Sequence, residues 1–423
     1  MSELSHAELL RALYPRVLAK ALGLTRTLPD AQDAVQDAVE RALRSWPMRG
    51  IPESPEAWLV TVAANSHRDQ LRRARRVEPH ADALEALAQM SPWVRIASAE
   101  PEVVGGWDDE LLRLLFACCH PALEEGESAA LALATVVGFS TSEIAAAFVL
   151  APRSLEQRLL RARQRLRELG DPEGAAPEDS RDRVGAVLRT VHLLFNEGYW
   201  STRDDAPIRA ELCRLAIGLA RSLWQAFPDD HEAAGLLVLL LLHDARRGAR
   251  SSDDGDPVPL PEQDRERWDH AAIATATLLL EQTLAVGRPG PFQIEAAISA
   301  VHCRAARSED TDWREIAALY AMLEGFRPTP AVRVNRAFAV ARSTGPAAGL
   351  ALVDAADLPG ISTYPYVHLV RGTLLGELGR NDEARAELEF AERLARNAHE
   401  RAQIQAKLSE LSGSTHREDA HDG

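Results

Sequence analysis

The order of apolar and polar positions predicts α-helices over most of the chain. In the stretch AQDAVQDAVERALRSW, residues 31–46, apolar residues recur at intervals of three and four, which forms one buried helix face. We expect Asp30 to cap this helix and Pro47 to end it. Its outward side carries Asp33, Gln36 and Asp37, and this acidic face is either simply solvated or an acidic docking stripe.

A second helix is predicted to follow, with Ser54 as its cap and Pro55 at its first position. Its predicted buried residues are Trp58, Leu59, Val62, Ala63 and Leu71. Five arginines fall within residues 68–76. Such a cluster is typical of phosphate binding, although cations also favour the negative end of a helix dipole.

Residues 138–169 have the pattern of a helix-turn-helix. Two capping boxes are predicted, Ser140 with Glu143 and Ser154 with Gln157, and the turn VLAP lies between the two short helices. The second helix places five apolar residues on one face, namely Leu155, Leu159, Ala162, Leu166 and Leu169. Its opposite face carries Ser154, Gln157, Arg158, Arg161 and Arg165. Gln and Arg make bidentate contacts to base edges, so this face is predicted to contact DNA.

The C-terminal half is predicted to be helical almost throughout. Near its end, the spacing of small and apolar residues matches a tetratricopeptide (TPR) unit, in which two antiparallel helices pack closely: Gly372, Leu375, Gly379, Ala384, Leu388 and Ala391. Stacked helix pairs present a concave surface for a peptide, a partner protein or another domain of the same chain. Residues 246–268 interrupt the helices and are either a solvated loop or a docking loop.

Composition supports an all-α protein of two or three domains. The chain has 423 residues, of which 46 % are hydrophobic and only 5 % aromatic. The net charge is −15, yet basic residues exceed acidic ones by three in residues 1–76 and by four in residues 151–169. Salt screens the interaction between charges beyond about 8 Å, so DNA responds to these local basic patches rather than to the net charge. The acidic net charge therefore does not exclude DNA as a partner.

No catalytic, metal or cofactor motif is found. The apolar runs are too short for a signal peptide or a membrane helix, so we expect a cytoplasmic protein without a membrane partner. Cys118, Cys119 and His120 point in different directions on a helix, and a buried helix end is favoured over a metal site.

The decapeptide VHLLFNEGYW, residues 191–200, has the side chains of an active site but none of the usual catalytic motifs around it. We interpret it as a helix end with Gly198 in the left-handed conformation. An interdomain or regulatory role is then predicted for four residues: His192, Asn196, Glu197 and Tyr199.

These segments together resemble the extracytoplasmic-function (ECF) class of bacterial sigma-70 factors. DAQDAVQDAVERALRSWP and SPEAWLVTVAANSHRDQLRRARR are similar to the second sigma region, and residues 138–169 to the fourth. LLRLLFACCHPAL and LLFNEGYW are similar to a subgroup with a TPR-like helical extension. The resemblance implies region 2 at 1–76, a linker at 77–105, region 4 at 106–170, a hinge at 171–180, a regulatory extension at 181–413 and a disordered tail at 414–423.

The resemblance also implies partners and roles. Core RNA polymerase, through its β′ clamp helices and β subunit, would be contacted by Asp33, Gln36 and Asp37. The −10 strand of promoter DNA would be contacted by Asn65, Arg68, Asp69, Arg72 and Arg73. The −35 duplex would be contacted by Arg153, Ser154, Gln157, Arg158, Arg161 and Arg165. The extension would bind a protein or peptide, and no catalytic residue is implied.

Two other interpretations stay open at this point. The chain could be a helix-turn-helix regulator that acts without polymerase, or, less in keeping with its motifs, an enzyme built around residues 191–200 or 118–120. Co-purification with core polymerase distinguishes a sigma factor from a polymerase-independent regulator.

Overall fold

The computed structural model is all-α over the residues that it describes. These are residues 6–25, 27–77, 109–120, 122–137, 139–147, 151–169, 181–199, 210–250, 258–356, 358, 360–395 and 398–418. They form two compact units, Met1–Glu197 and Gly198–Gly423. The predicted linker from residue 78 onward, the predicted hinge and Trp200 lie outside the described residues.

The first unit contains the two predicted DNA-binding segments. Its helices are α1 (His6–Thr25), α2 (Leu28–Arg49), α3 (Pro55–Val77), α4 (Asp109–Cys118), α5 (Glu125–Ala132) with a π-helical turn (Leu133–Val137), α6 (Thr141–Ala147), α7 (Pro152–Leu169) and α8 (Arg181–Tyr199). The boundary between the units falls within the last residues of α8, at 197/198, and not at the predicted hinge 171–180.

The second unit is a series of helix pairs. Its helices are α9 (Ala210–Ala226), α10 (His231–Ala245), α11 (His270–Leu284), α12 (Pro291–Arg304), α13 (Trp313–Phe326), α14 (Pro330–Thr344), α15 (Pro346–Asp354), α16 (Pro365–Glu377), α17 (Asn381–Leu394) and α18 (Ala398–Glu418). Short 3-10 helices occur at Arg247–Ala249, Leu260–Glu262, Arg265–Arg267, Ser308–Asp310 and Ile361–Thr363.

Helices α1, α2 and α3 pack into a three-helix bundle. The predicted stripe of α2 is buried at Ala34, Val35, Ala38, Ala42 and Trp46. Both predicted ends of α2 are wrong. Its cap is Thr27, whose hydroxyl accepts the Asp30 N–H, because Pro29 fits the first turn and moves the start forward. Pro47 lies inside the helix near its end, and the N–H of Gly50 closes the last turn on the Trp46 carbonyl.

The predicted start of α3 at Pro55 is confirmed, as is the burial of Leu59 and Ala63. Leu71 was predicted to be buried and is 39 % exposed, and it lies between Arg68 and Arg72, which are exposed as well. On α7, Leu155, Leu159, Ala162 and Leu166 are buried as predicted. Leu169 is 47 % exposed because it lies at the end of the helix.

One of the two predicted capping boxes is wrong. Helix α7 begins at Pro152, so Ser154 lies in its first turn, and its N–H donates to the Ala151 carbonyl at 2.9 Å. Proline at the first helical position therefore determined the start of α7. Ser140 directly precedes α6, as predicted.

The predicted TPR hairpin corresponds to α16 and α17. Gly372, Leu375, Ala384, Leu388 and Ala391 are buried in it. The exposed Gly379 forms the turn between the helices with φ +72°, a conformation that favours glycine. The predicted disordered tail is wrong for residues 414–418, which continue α18.

Two findings concern the rest of the chain. Within the segment 246–268, Arg246, Arg250 and Trp268 are buried, so its described ends are not simply solvated, and residues 251–257 lie outside the described residues. Within the described residues, no helix is long and apolar enough to cross a membrane.

Candidate DNA and polymerase interfaces

The exposed face of α7 is the predicted −35 surface. Arg153, Ser154, Gln157 and Arg161 are exposed, and Arg158 is half-buried. They lie opposite the buried stripe of Leu155, Leu159, Ala162 and Leu166. The helix can therefore present polar donors to a groove while its apolar face holds it on the domain.

Arg165 differs from its neighbours on α7. Its guanidinium donates to the carboxylate of Glu127 at 3.0 Å and to the carbonyl of Ala122 at 3.2 Å. The Glu127 side chain is only 7 % exposed, so this ion pair anchors α7 to α5. Arg165 was predicted to face DNA, and the structure assigns it a partner inside the unit.

The predicted −10 surface is the outward side of α3. Asn65 and Arg68 are exposed and approach each other at 3.5 Å through Oδ1 and Nη1. Asp69 and Arg72 form a loose surface pair at 3.7 Å. The side chain of Arg73 lies outside the described residues. The described side chains thus form a mixed polar face rather than a purely basic one.

The predicted polymerase-binding stripe of α2 contains three different environments. Gln36 is exposed. Asp33 is half-exposed and pairs with Arg167 of α7 at 2.6 Å. Asp37 accepts hydrogen bonds from the buried Ser66 hydroxyl and from Gln70 at 3.5 Å. The Asp37 carboxylate therefore joins α2 to α3, a contact that sequence reasoning missed.

A groove between α1, α2 and α7 was also missed. Its lining includes Tyr14, Arg163 and two exposed apolar side chains, Leu43 at 48 % and Leu160 at 63 %. Burial raises the pKa of Tyr14. The apolar period places Leu43 on the face of α2 that was predicted to be buried, whereas Leu160 lies outside the predicted apolar stripe of α7, so periodicity alone did not indicate a groove.

The Cys118-Cys119-His120 segment is a buried helix end. The thiol of Cys118 lies 3.0 Å from the Thr135 hydroxyl, and that of Cys119 lies 3.4 Å from the Thr190 hydroxyl of α8. Burial raises the pKa of both thiols, that of Cys119 to about 11, so they are poor nucleophiles. His120 Nδ1 accepts the N–H of Ala122 at 3.1 Å. No group of three or more His, Cys, Asp or Glu residues in the described part of the chain could hold a metal.

The decapeptide at 191–200 is helical through Tyr199, so the predicted left-handed Gly198 is wrong. Phe195 and Tyr199 are both buried, so the buried face of α8 continues across Gly198. Asn196 and His192 are one turn apart, at 3.4 Å. Tyr199 is buried, and its carbonyl accepts a hydrogen bond from Arg250 at 2.9 Å. The side chain of Glu197 lies outside the described residues.

Comparison with known proteins supplies three family matches. Residues 9–77 match sigma-70 region 2, residues 113–166 match sigma-70 region 4, and residues 183–284 match a family of unknown function (DUF6596). An uncharacterized protein of Rhizobium meliloti (strain 1021), R00370, is 40 % identical over 400 residues, 94 % of either chain. The ECF RNA polymerase sigma factor EcfG of Rhodopseudomonas palustris (strain TIE-1) is 29 % identical over 177 residues, 42 % of this chain and 91 % of that protein. No solved structure matches.

Proposed function

We propose that this chain is an ECF-class sigma factor of the sigma-70 family that directs core RNA polymerase to promoters with defined −35 and −10 elements, and its matches to sigma-70 regions 2 and 4 support this. The observation that carries the proposal is the exposure of Gln157 and Arg161 on α7, opposite a fully apolar buried face. Such a helix can read base edges in a major groove without disturbing its own core.

Region 4 supplies the −35 contacts in this proposal. Gln157 and Arg161 read bases, while Arg153, Ser154 and Arg158 contact the backbone or adjacent bases. Arg165 contributes mainly by fixing α7 on α5 through Glu127, since one guanidinium already serves two protein acceptors.

Region 2 supplies the −10 and polymerase contacts. Asn65 and Arg68 are exposed on α3 and are proposed to hold the −10 strand together with Asp69, Arg72 and Arg73. Gln36 and Asp33 are proposed to bind the β′ clamp helices. The Asp33–Arg167 ion pair is half-exposed on both sides, so breaking it costs only about 0–1 kcal/mol. Asp37 holds α2 against α3 by accepting a hydrogen bond from Ser66, and it thereby positions the surface that carries Asp33 and Gln36.

The second unit is proposed to be a TPR-like extension that modulates transcription, with a protein or peptide as its partner. Close helix pairing at Gly372 and Gly349 supports this assignment. Residues at the junction of the two units are proposed to transmit the effect, namely His192, Asn196, Glu197 and Tyr199.

A chain that ends at Tyr199 keeps the whole of α8, and its transcription is compared with that of the full chain. Cooperative thermal unfolding of the shortened chain is the control, and equal transcription by both folded proteins would contradict a regulatory extension.

A mobility-shift assay distinguishes this proposal from a regulator that acts without polymerase. We expect a promoter fragment to shift specifically only when the full chain and core polymerase are both present. A specific shift by the chain alone, unaltered by core polymerase, would favour the polymerase-independent regulator.

A further inference from the structure

Three arginines meet in the second unit at the junction between α10 and α11. They are Arg246, Arg250 and Arg265, called the arginine cluster below. The junction is closed by a hydrogen bond from the Asp269 N–H to the Ala245 carbonyl at 2.9 Å. This bond brings the main chain at Ala245 next to that at Asp269. Arg246 follows Ala245 and Trp268 precedes Asp269, so these two residues lie close to each other.

Arg246 is a buried cation without a counter-ion among the described residues. It is 6 % exposed, directly follows α10, and its Nε has no hydrogen-bond partner. No ion pair or hydrogen bond is formed by its guanidinium with any described side chain. Burying an unpaired charge carries a large desolvation penalty, so a buried arginine requires an acceptor or an anion as its partner.

Trp268 provides a second donor without a partner beside Arg246. Its ring is 4 % exposed, and its Nε1 has no hydrogen-bond partner. An indole N–H only donates, so both unsatisfied groups require an acceptor. A bound anion with several oxygens would satisfy them together.

The other two arginines are fixed by main-chain and aromatic contacts. Arg265 donates to the carbonyls of His302 and Ala305 at 2.7 and 2.6 Å, and its Cζ lies 4.6 Å from the centre of the Trp268 ring. Arg250 lies over the Tyr199 ring at 3.5 Å and donates to its carbonyl. These contacts hold the two guanidinium groups in place.

The pKa of the neighbouring His302 reflects the positive charge of the cluster. Burial, followed by the charges of Arg246 and Arg265, lowers the pKa of His302 to about 4. Among the described carboxylates, Asp244 pairs with Arg247 through Oδ2, while its buried Oδ1 has no hydrogen-bond partner. Asp310 pairs with Arg307, and the charges of Asp310 and Glu309 also act on Arg265 and oppose the lowering of its pKa by burial. Arg246 is thus the member of the cluster that has no ion pair among the described residues.

We propose that the arginine cluster binds the phosphate group of an anionic ligand, either inorganic phosphate or a small phosphorylated molecule. A phosphate dianion matches more than one guanidinium charge and offers acceptors to both Arg246 Nε and Trp268 Nε1. The ligand would couple the ends of α10 and α11 to the start of the second unit at Tyr199. This inference does not depend on the sigma-factor assignment.

Calorimetric titration and thermal unfolding of the full chain test the site. The probes are inorganic phosphate and adenosine monophosphate, with sodium chloride of equal ionic strength as the reference. We expect phosphate to raise the unfolding midpoint in a dose-dependent manner. Arg246→Gln should weaken the affinity by about tenfold or more. Arg288→Gln, at an exposed position of the same unit, is the matched control and should bind as the unchanged chain does.

The ligand-free proteins supply an independent readout. Removal of an uncompensated buried charge should leave the unfolding midpoint of Arg246→Gln equal to or above that of the unchanged chain. If this variant fails to fold, Trp268→Phe replaces it, since the substitution keeps an aromatic ring and removes the Nε1 donor.

Three results would overturn the proposal. The first is the absence of any response to either probe, and the second is equal binding by the unchanged chain and by the variant. The third is phosphate binding that occurs only when Asp253→Asn, Asp254→Asn and Asp256→Asn are combined. That result would mean that these aspartates of the chain itself, and not a bound anion, neutralise the arginine cluster. Tighter binding of adenosine monophosphate than of phosphate would support the site and identify a nucleotide as the source of the phosphate.

Discussion

Single residues with similar positions in the sequence have different physical roles in this chain. Gln36 and Asp37 are neighbours on the polar side of α2, and both were predicted to bind polymerase. Gln36 is exposed, whereas Asp37 accepts a hydrogen bond from Ser66, which is 3 % exposed. Stability and partner binding can therefore be separated at adjacent positions.

Asp37→Ala should lower the free energy of unfolding by roughly 1 kcal/mol, since it leaves the buried Ser66 hydroxyl without its acceptor. Gln36→Ala should change stability by less than about 0.5 kcal/mol and weaken only polymerase binding. Urea unfolding of both variants, together with affinity for core polymerase, checks this. Equal stability of the two variants would rule out the structural role of Asp37.

Glu295 makes the second unit sensitive to pH. Burial, opposed by Arg327 at 2.9 Å, raises the pKa of Glu295 from 4.5 to about 7. The folded chain then binds more protons than the unfolded chain between these pH values, so the contribution of Glu295 to stability falls as pH rises from about 4.5 to 7.

Glu295→Gln should remove this contribution. The stability of the unchanged chain minus that of the variant should decrease steadily between pH 5 and pH 8, as measured by urea unfolding. Glu281→Gln, at an exposed position of α11, is the matched control for the loss of one carboxylate. A flat difference for Glu295→Gln would contradict the raised pKa.

At the scale of elements, the two faces of α7 predict opposite consequences for its polar residues. Gln157→Ala and Arg161→Ala should each weaken −35 binding by about 1–3 kcal/mol without loss of stability, because both side chains are exposed. Arg165→Ala should instead lower stability by roughly 1 kcal/mol, since Glu127 is left buried with its charge unpaired. Fluorescence anisotropy with holoenzyme and thermal unfolding of the chain measure the two effects. The prediction is contradicted if Arg165→Ala leaves stability unchanged and weakens DNA binding more than Gln157→Ala or Arg161→Ala does.

The α16–α17 hairpin depends on the absence of a side chain at Gly372. A Cβ there would lie 2.8 Å from Leu388 Cγ and 3.1 Å from the Ala384 carbonyl oxygen, in a buried contact. Gly372→Ala should therefore lower the free energy of unfolding by about 1–3 kcal/mol. Gly325→Ala in α13 meets no atom within 4 Å and should be neutral or stabilising by up to about 1 kcal/mol. Equal effects in thermal unfolding would contradict close packing of the hairpin.

The sequence predicted the helices and their buried faces well because the 3.6-residue period is a local property. Leu155, Leu159 and Leu166 follow from it directly. Helix ends were predicted less well, because capping depends on competition between adjacent candidates, such as Thr27 against Asp30 and Pro152 against Ser154. The hydrogen-bond and ion-pair partners of individual side chains could not be predicted from the sequence.

Within the candidate site, exposure was predicted for most residues of α3 and α7, but their pairing was not. The carboxylate of Glu127 lies 38 positions before Arg165, and Asp33 lies 134 positions before Arg167. Nothing in the local pattern indicates such distant contacts. The burial of Arg246 and Arg250 was missed for the same reason, since a run of arginines, aspartates and prolines has the composition of a surface loop.

At the scale of the whole molecule, charge is distributed unevenly along the chain. The chain carries a net charge of −15, yet the basic side chains of α3 and α7 lie on helices that match sigma-70 regions 2 and 4. The helix α8 belongs almost entirely to the first unit, where Thr190 approaches Cys119. A division of the protein for experiments therefore belongs after α8 and not at residue 170.

Run-off transcription with purified core polymerase tests the central claim most directly. The template carries a promoter selected by the holoenzyme, and the full chain is compared with a chain that combines Gln157→Ala and Arg161→Ala. The proposal predicts a discrete transcript that requires the added chain and that falls at least about tenfold with the double substitution, while binding to core polymerase is retained. Failure of the folded full chain to bind core polymerase and to start a specific transcript would contradict the assignment as a sigma factor.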